Sequence, residues 1–240
     1  MLGTIFNEIL YRPIFNALVF LYNTIPDFGI AIILLTIIIK LVLLPLSHKS
    51  IKSRHEMAKL QPQIKELQKK HKKKDEQSKE LMKLYKEHNI NPLSGCLPLL
   101  IQLPILIALY RVLINILKPE SLTALYVSVA NPGVINGLSL GILDLSKNSP
   151  VLAILAGISQ FFYSKITMKY SPQTETKKEG FNIQNMMGKQ MIYFMPVITV
   201  LIAWNFPAGL PLYWIISTLL GLAQEHYLAK KFHGKLKTSN

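Results

Sequence analysis

Hydrophobic residues run through this chain in long blocks rather than in the regular alternation with polar residues that marks a soluble core. The first block, GIAIILLTIIIKLVLLP from Gly29 to Pro45, is apolar over seventeen residues except for Thr36 and Lys40. Others run from Asn91 to Leu117, Val151 to Met168, Met191 to Phe206 and Leu210 to Ala229. A helix needs roughly 17–25 mostly apolar residues to cross a bilayer. Pro98, Pro104 and Pro196 lie inside these blocks, which membrane helices tolerate where neighbours satisfy the freed carbonyls. The turn FPAGLP, Phe206 to Pro211, leaves no room for a loop domain, so the last two blocks form an antiparallel pair. The pattern predicts an all-α polytopic membrane protein with five transmembrane helices at 27–46, 92–117, 150–168, 191–206 and 207–229.

Between the blocks the periodicity changes. Residues 1–26 place Phe6, Leu10, Ile14, Ala17 and Leu21 at helical spacing, with Thr4, Glu8, Tyr11, Arg12 and Asn16 on the other side. That predicts an amphipathic helix lying in the membrane interface. Ile5, Ile9 and Val19 stray from its apolar face, and Pro13 is a point where it kinks. Residues 47–91 carry Met57, Leu60, Ile64 and Leu67, then Leu81, Leu84 and Tyr85, on either side of the charged stretch KKHKKKDEQ. Two amphipathic helices joined at that bend make a helical hairpin, the first of them broken or restarted at Pro62. Residues 118–149 form a mixed loop, 169–190 a polar loop and 230–240 a tail.

Charge then orients the chain. The formal net charge is +14. The 47–91 segment holds thirteen Lys/Arg against six Asp/Glu, the 169–190 loop holds Lys169, Lys177, Lys178 and Lys189, and the tail holds Lys230, Lys231, Lys235 and Lys237. The 118–149 loop balances Lys118 and Lys147 with Glu120 and Asp144. Lysine-rich segments stay in the cytoplasm, so the N-terminus is expected outside and the C-terminus inside. Five spans satisfy all three basic segments together. The N-terminal stretch does not read as a secretory signal, because its apolar part is short and no A-x-A site follows. With one cysteine, Cys96, neither an intrachain disulfide nor a zinc site of several cysteines is possible.

The candidate chemistry starts with Lys40. It lies about 8 Å inside the Pro45 end of its block at 1.5 Å per residue, and Thr36, four residues earlier, shares its helix face. Of the thirteen acidic residues only Glu225 reaches into an apolar block, near the end of the last one. Lys40 therefore depends on water, backbone carbonyls or an acidic visitor. It either snorkels to the nearer rim and orients the helix, or marks a functional site, as intramembrane charge does by default. Gln102 is deep in the second span, whereas Arg111 lies near its outer end and can snorkel. Ala153, Gly157, Gln160 and Ser164 form a small-and-polar stripe of the kind that lets helices approach closely. Tyr213, Ser217, Gly221 and Gln224 share one face of the last span. No G-x-x-x-x-G-K-[ST], H-E-x-x-H or G-x-S-x-G motif occurs, and no cofactor is implied.

With spans and motifs in hand, the chain resembles the YidC/Oxa-type membrane protein insertase family, in its short form without the large extracytoplasmic domain. LQPQIKELQ (Leu60–Gln68), NPLSGCLPLLIQLPILIALY (Asn91–Tyr110), FMPV (Phe194–Val197) and NFPAGLPLYW (Asn205–Trp214) resemble family motifs. Lys40 matches the single intramembrane cation, often arginine there. Lysine keeps the charge but not the bidentate fork for a carboxylate.

The resemblance implies a bacterial inner-membrane protein with a wet groove among its spans, open to the cytoplasm and to lipid. Thr36, Lys40, Gln102, Gln160, Ser164, Tyr213 and Ser217 are the candidates for its polar wall; for the uncharged ones ordinary interhelical packing is the alternative. The implied substrates are nascent membrane proteins. The basic hairpin and tail are expected to meet anionic lipids, the ribosome and a targeting factor, and a Sec translocon is a further candidate partner. A competing reading is a small transporter or anion channel using Lys40 as its binding site. Against it, no carboxylate lies deep in a span, and five spans do not divide into two inverted repeats. An intramembrane enzyme lacks a nucleophile–base pair.

Overall fold

The computed structural model describes residues 2–71, 73–91, 97–116, 118–168 and 183–237, and these are mostly helical. They form two compact units, one of Met1–Leu43, Leu99–Gln160 and Pro196–Leu220 and one of Leu44–Pro98, Phe161–Met195 and Gly221–Asn240.

The first unit opens with α1 (Leu2–Phe6), a π-helical turn at Asn7–Tyr11, and α2 (Arg12–Thr24). The wide turn precedes Pro13, whose missing N–H and bulky ring disturb the regular ladder of the preceding turn. Ile14, Phe15, Leu18, Val19 and Tyr22 are buried, while Ile5 and Ile9 remain exposed. Val19 thus belongs to the packed face. Asn16, expected on the polar side, is buried too. Its amide donates to the Arg12 and Ala124 carbonyls and its Oδ1 accepts from the Tyr126 N–H at 2.6 Å. Those three bonds satisfy a polar group that would otherwise be costly to bury.

Helix α3 (Phe28–Val42) begins where Asp27 accepts from the Ile30 N–H at 2.9 Å, an N-cap of the favoured kind. It stops at Val42 because Pro45 has no N–H to donate to the Leu41 carbonyl and its ring crowds that carbonyl. The expected 27–46 span is therefore divided at Leu43. Phe28, Ala31, Ile32 and Leu35 are buried and join a core with Ile105, Ala108, Leu109, Val112 and Leu113 of α7 (Leu97–Asn115). A 3-10 turn at Pro119–Ala124 follows, then a two-strand hairpin, β1 (Leu138–Ser139) and β2 (Leu143–Asp144), pairing Leu138 with Asp144 and Ser139 with Leu143.

The unit closes with the first half of α8 (Pro150–Met168), the end of α9 (Ile183–Trp204) and the start of α10 (Gly209–Lys237). On the small stripe of α8, Ala153 is fully buried and Gly157 lies so close to the Val200 side chain that a β-carbon would collide with it. Small residues admit this approach between helices.

The second unit contains α4 (Leu44–Lys59), α5 (Gln61–Lys70) and α6 (Lys74–Glu87). Pro62 sits in the first turn of α5, where its absent N–H has no partner to lose. Met57, Leu60, Ile64, Tyr85 and Ile90 form a small core, with Leu81 and Leu84 against it. Between α5 and α6, the Gln77 amide donates to the carbonyls of Gln68 and His71. Burial pushes the Tyr85 phenol above its usual pKa.

By length and composition, Pro150–Met168 alone among the described single helices can cross a membrane; Leu100–Asn115 and Ile192–Trp204 are shorter apolar helices. Helix α10 continues as far as Lys237, through most of the expected tail. Most of the expected 169–190 loop and the start of the second expected span lie outside the described residues.

Candidate functional site

The sequence pattern singles out Lys40, and α3 places it in its last turn, where cations are favoured by the helix dipole and the unbonded carbonyls. Its side chain is half-buried, and among the described residues it makes no hydrogen bond or ion pair. Thr36, one turn earlier, is fully buried, and its hydroxyl donates to the Ile32 carbonyl at 2.7 Å. Thr36 thus satisfies itself within the helix and supports the face rather than offering a free hydroxyl. What Lys40 presents is an ammonium with three donors in an apolar setting, suited to an anionic or carbonyl-rich visitor.

Three more of the predicted residues meet in the same unit. The Gln102 amide of α7 donates to the Tyr213 hydroxyl of α10 at 2.6 Å, and a second hydrogen bond joins Tyr213 to Ser217 one turn on. Tyr213 and Ser217 are buried. Gln160 of α8 accepts from the Trp214 indole N–H at 3.3 Å. These contacts make two polar links between helices, the uses of glutamine and tyrosine that satisfy buried donors. Ser164 is buried in the second unit, where its carbonyl accepts from the Thr167 hydroxyl at 3.1 Å.

The second unit also holds a charged cluster that sequence reasoning did not assemble. Arg54 of α4 donates to Glu225 of α10 at 2.6 Å, and His55 Nε2 lies 3.3 Å from the other oxygen of the same carboxylate. All three are buried, Glu225 completely. Tyr163 of α8 hydrogen-bonds Arg54 as well, and its ring lies against Gly221. The only signal in the sequence was Glu225 itself, the one acid within the bounds of an apolar block. Its partners were counted among the basic residues of the 47–91 segment.

Comparison with known proteins gives this arrangement a context. The family model described as "60Kd inner membrane protein" matches residues 20–235. The membrane protein insertase YidC of Magnetococcus marinus is 37% identical over 225 residues, covering 92% of this chain and 36% of that protein. Its counterpart in Geotalea daltonii is 37% identical over 224 residues, covering 92% and 37%. This chain thus spans little more than a third of the length of these curated relatives. A crystal structure of an active YidC insertase with its first transmembrane domain resolved superposes with a TM-score of 0.60 at 31% identity, over 90% of this chain and 46% of that one. The relatives carry the name of an insertase and not of an enzyme. A match that extends over the predicted spans, the basic segment and the Lys40 helix shows that this chain belongs to the 60Kd inner membrane protein family.

Proposed function

We propose that this chain is a membrane protein insertase of the bacterial inner membrane, moving nascent membrane proteins from the cytoplasm into the bilayer. The observation that carries the reading is Lys40, a half-buried cation in an apolar helix with no carboxylate partner among the described residues. A charge so placed loses much of its hydration without regaining it from an ion pair. An incoming acidic or polar tail supplies the missing partner and is itself spared part of its desolvation. The apolar segment behind it leaves sideways into lipid, and burial of that segment drives the step. Family membership, the insertase names of the relatives and the fold of the solved YidC support the same reading.

In this reading five spans surround a wet groove, with the N-terminus outside and the C-terminus in the cytoplasm. Gln102, Gln160, Tyr213 and Ser217 are the candidates for its polar wall with Lys40, and Thr36, its hydroxyl bonded to the Ile32 carbonyl, supports the lysine's helix face. The basic α5–α6 pair and the basic end of α10 meet the ribosome, a targeting factor and anionic lipid head groups, and a Sec translocon is a further partner. The test is insertion into proteoliposomes of matched single-span substrates that differ only in tail charge. Lys40→Ala is expected to fold normally and to fail on acidic tails while still inserting uncharged ones. Equal insertion of every tail by wild type and Lys40→Ala would reduce Lys40 to an orienting charge and remove the electrostatic element of the mechanism.

A further inference from the structure

Residues 133–143 read GVINGLSLGIL and contain no charged side chain. They run from the loop before β1 through β1 and the turn after it to the first residue of β2. The apolar side chains of the turn point away from the rest of the chain: Leu140 is 73% exposed and Ile142 86%, with Leu138 also exposed. Leu140 adopts φ +52, a left-handed conformation that favours glycine over any residue with a β-carbon. Its side chain is too exposed for internal packing to offset that strain.

The height of this turn is set by hydrogen bonds. One carboxylate oxygen of Asp27 accepts both the Ile30 N–H that caps α3 and the Ser139 hydroxyl, each at 2.9 Å, and the other accepts the Leu140 N–H at 2.5 Å. Ser139 and Leu145 also close on Gly29, where a β-carbon would collide with the Ser139 side chain. The turn therefore lies level with the first turn of α3 and not beyond it. The Gly209 N–H donates to the Leu145 carbonyl at 3.1 Å and the Ala208 N–H to the Lys147 carbonyl at 2.8 Å, fixing the stem of the hairpin at the start of α10. On the other side, the Asn136 N–H donates to the Tyr22 hydroxyl at 3.0 Å and the Asn23 amide to the Ala130 carbonyl at 2.7 Å, tying the loop to the end of α2.

From this placement we infer that the Leu138–Ile142 turn is a membrane anchor, its leucines and Ile142 dipping into the boundary between head groups and acyl chains at the N-terminal end of α3. The inference rests on the reading of α3 as membrane-embedded. Lipid is the occupant for three reasons. The turn is held at the rim of helices whose outer faces are apolar. Its uncharged sequence offers no group that would orient a protein partner. Three side chains fall far short of the roughly 1,200–2,000 Å² that a stable protein interface buries, whereas insertion of a few apolar side chains into an interface is additive with the anchoring of neighbouring segments.

The experiment places an NBD fluorophore at Ile142→Cys in a Cys96→Ala background, in liposomes of phosphatidylethanolamine and phosphatidylglycerol. A second label at Ile154→Cys, on an exposed position of α8, reports the membrane reading by itself. At Ile142 the expected result is a blue-shifted emission, mostly quenched by lipids spin-labelled high on the acyl chain and little affected by aqueous iodide. Adding Leu140→Ser should shift that emission toward its value in water. Iodide quenching without lipid quenching at Ile142, with lipid quenching kept at Ile154, overturns the anchor and leaves the span reading standing. Aqueous signals at both positions overturn both. A label that is aqueous in liposomes but shielded in native membrane vesicles shows that a protein covers the turn, and the lipid assignment is then wrong.

Discussion

Lys40 and Arg54 lie fourteen residues apart on consecutive helices, and the chain treats these two cations in opposite ways. Arg54 is buried against a carboxylate at 2.6 Å, with His55 on the other oxygen and Tyr163 as a further hydrogen-bond partner. Lys40 is half-buried and has no such partner among the described residues. A paired buried charge holds a structure in one arrangement, because removing either partner strands the other. An unpaired one leaves the fold nearly indifferent and keeps its binding capacity for something that arrives. The comparison assigns structure to one cation and function to the other, and each assignment can be broken separately.

The largest effect is expected at Glu225. Glu225→Ala leaves the Arg54 guanidinium buried without its counter-charge, which costs about 3–5 kcal/mol. Thermal or SDS unfolding of the detergent-solubilised protein should show that loss. The double replacement Arg54→Met with Glu225→Leu should recover most of it, because an apolar pair of similar volume removes both desolvation penalties. A Glu225→Ala protein as stable as wild type would mean that the cluster is hydrated or open, and the contrast with Lys40 would disappear.

Next comes the sign of the charge at Lys40. Lys40→Arg should retain most insertion of acidic-tailed substrates, and Lys40→Glu should do worse than Lys40→Ala on them through like-charge repulsion, with the order collapsing for uncharged tails. Giving Lys40 a partner is the sharper test. Ile37→Glu puts a carboxylate one turn earlier, N-terminal to the lysine, an arrangement that favours pairing on a helix. It should bring insertion of acidic tails down toward the Lys40→Ala level without removing the lysine. Full activity in Ile37→Glu would show that an available ammonium is not what the substrate needs.

The two regions also differ in how far they could be read in advance. Lys40 and Thr36 are separated by one helical turn, so spacing alone put them on one face. Arg54 and Glu225 are 171 residues apart, and nothing in a periodic pattern says which of many basic residues a distant acid selects. Gln102 and Tyr213, 111 residues apart, were each legible as polar positions inside apolar blocks, but not as partners. Asn16 shows the converse failure. A polar residue was assigned to the wet face, yet the 3-10 turn at Pro119–Ala124 and the chain after it bring the Ala124 carbonyl and the Tyr126 N–H that bury it. The end of α3 was missed although its cause is local: the span was drawn across Pro45 to residue 46, and the helix breaks at Leu43 just before that proline. The Asp27–Leu140 contact, which sets the height of the β-turn, depends on a loop more than a hundred residues away.

The smallest effect is expected where the polar groups are paired and uncharged. Gln102 and Tyr213 link α7 to α10 through a 2.6 Å hydrogen bond, and such bonds between helices in a membrane average about 0.6 kcal/mol of coupling. Tyr213→Phe strands the Gln102 amide, Gln102→Leu leaves the Tyr213 hydroxyl with Ser217, and the double variant removes both ends of the bond. A double-mutant cycle in SDS unfolding should return a coupling near that average, well below the loss at Glu225. Insertion measured on the same four proteins then separates packing from a polar wall. If activity follows stability through the cycle, the pair is a helix-to-helix link that belongs with Arg54 and Glu225. If Tyr213→Phe loses insertion while the cycle shows only weak coupling, the hydroxyl serves the substrate and belongs with Lys40.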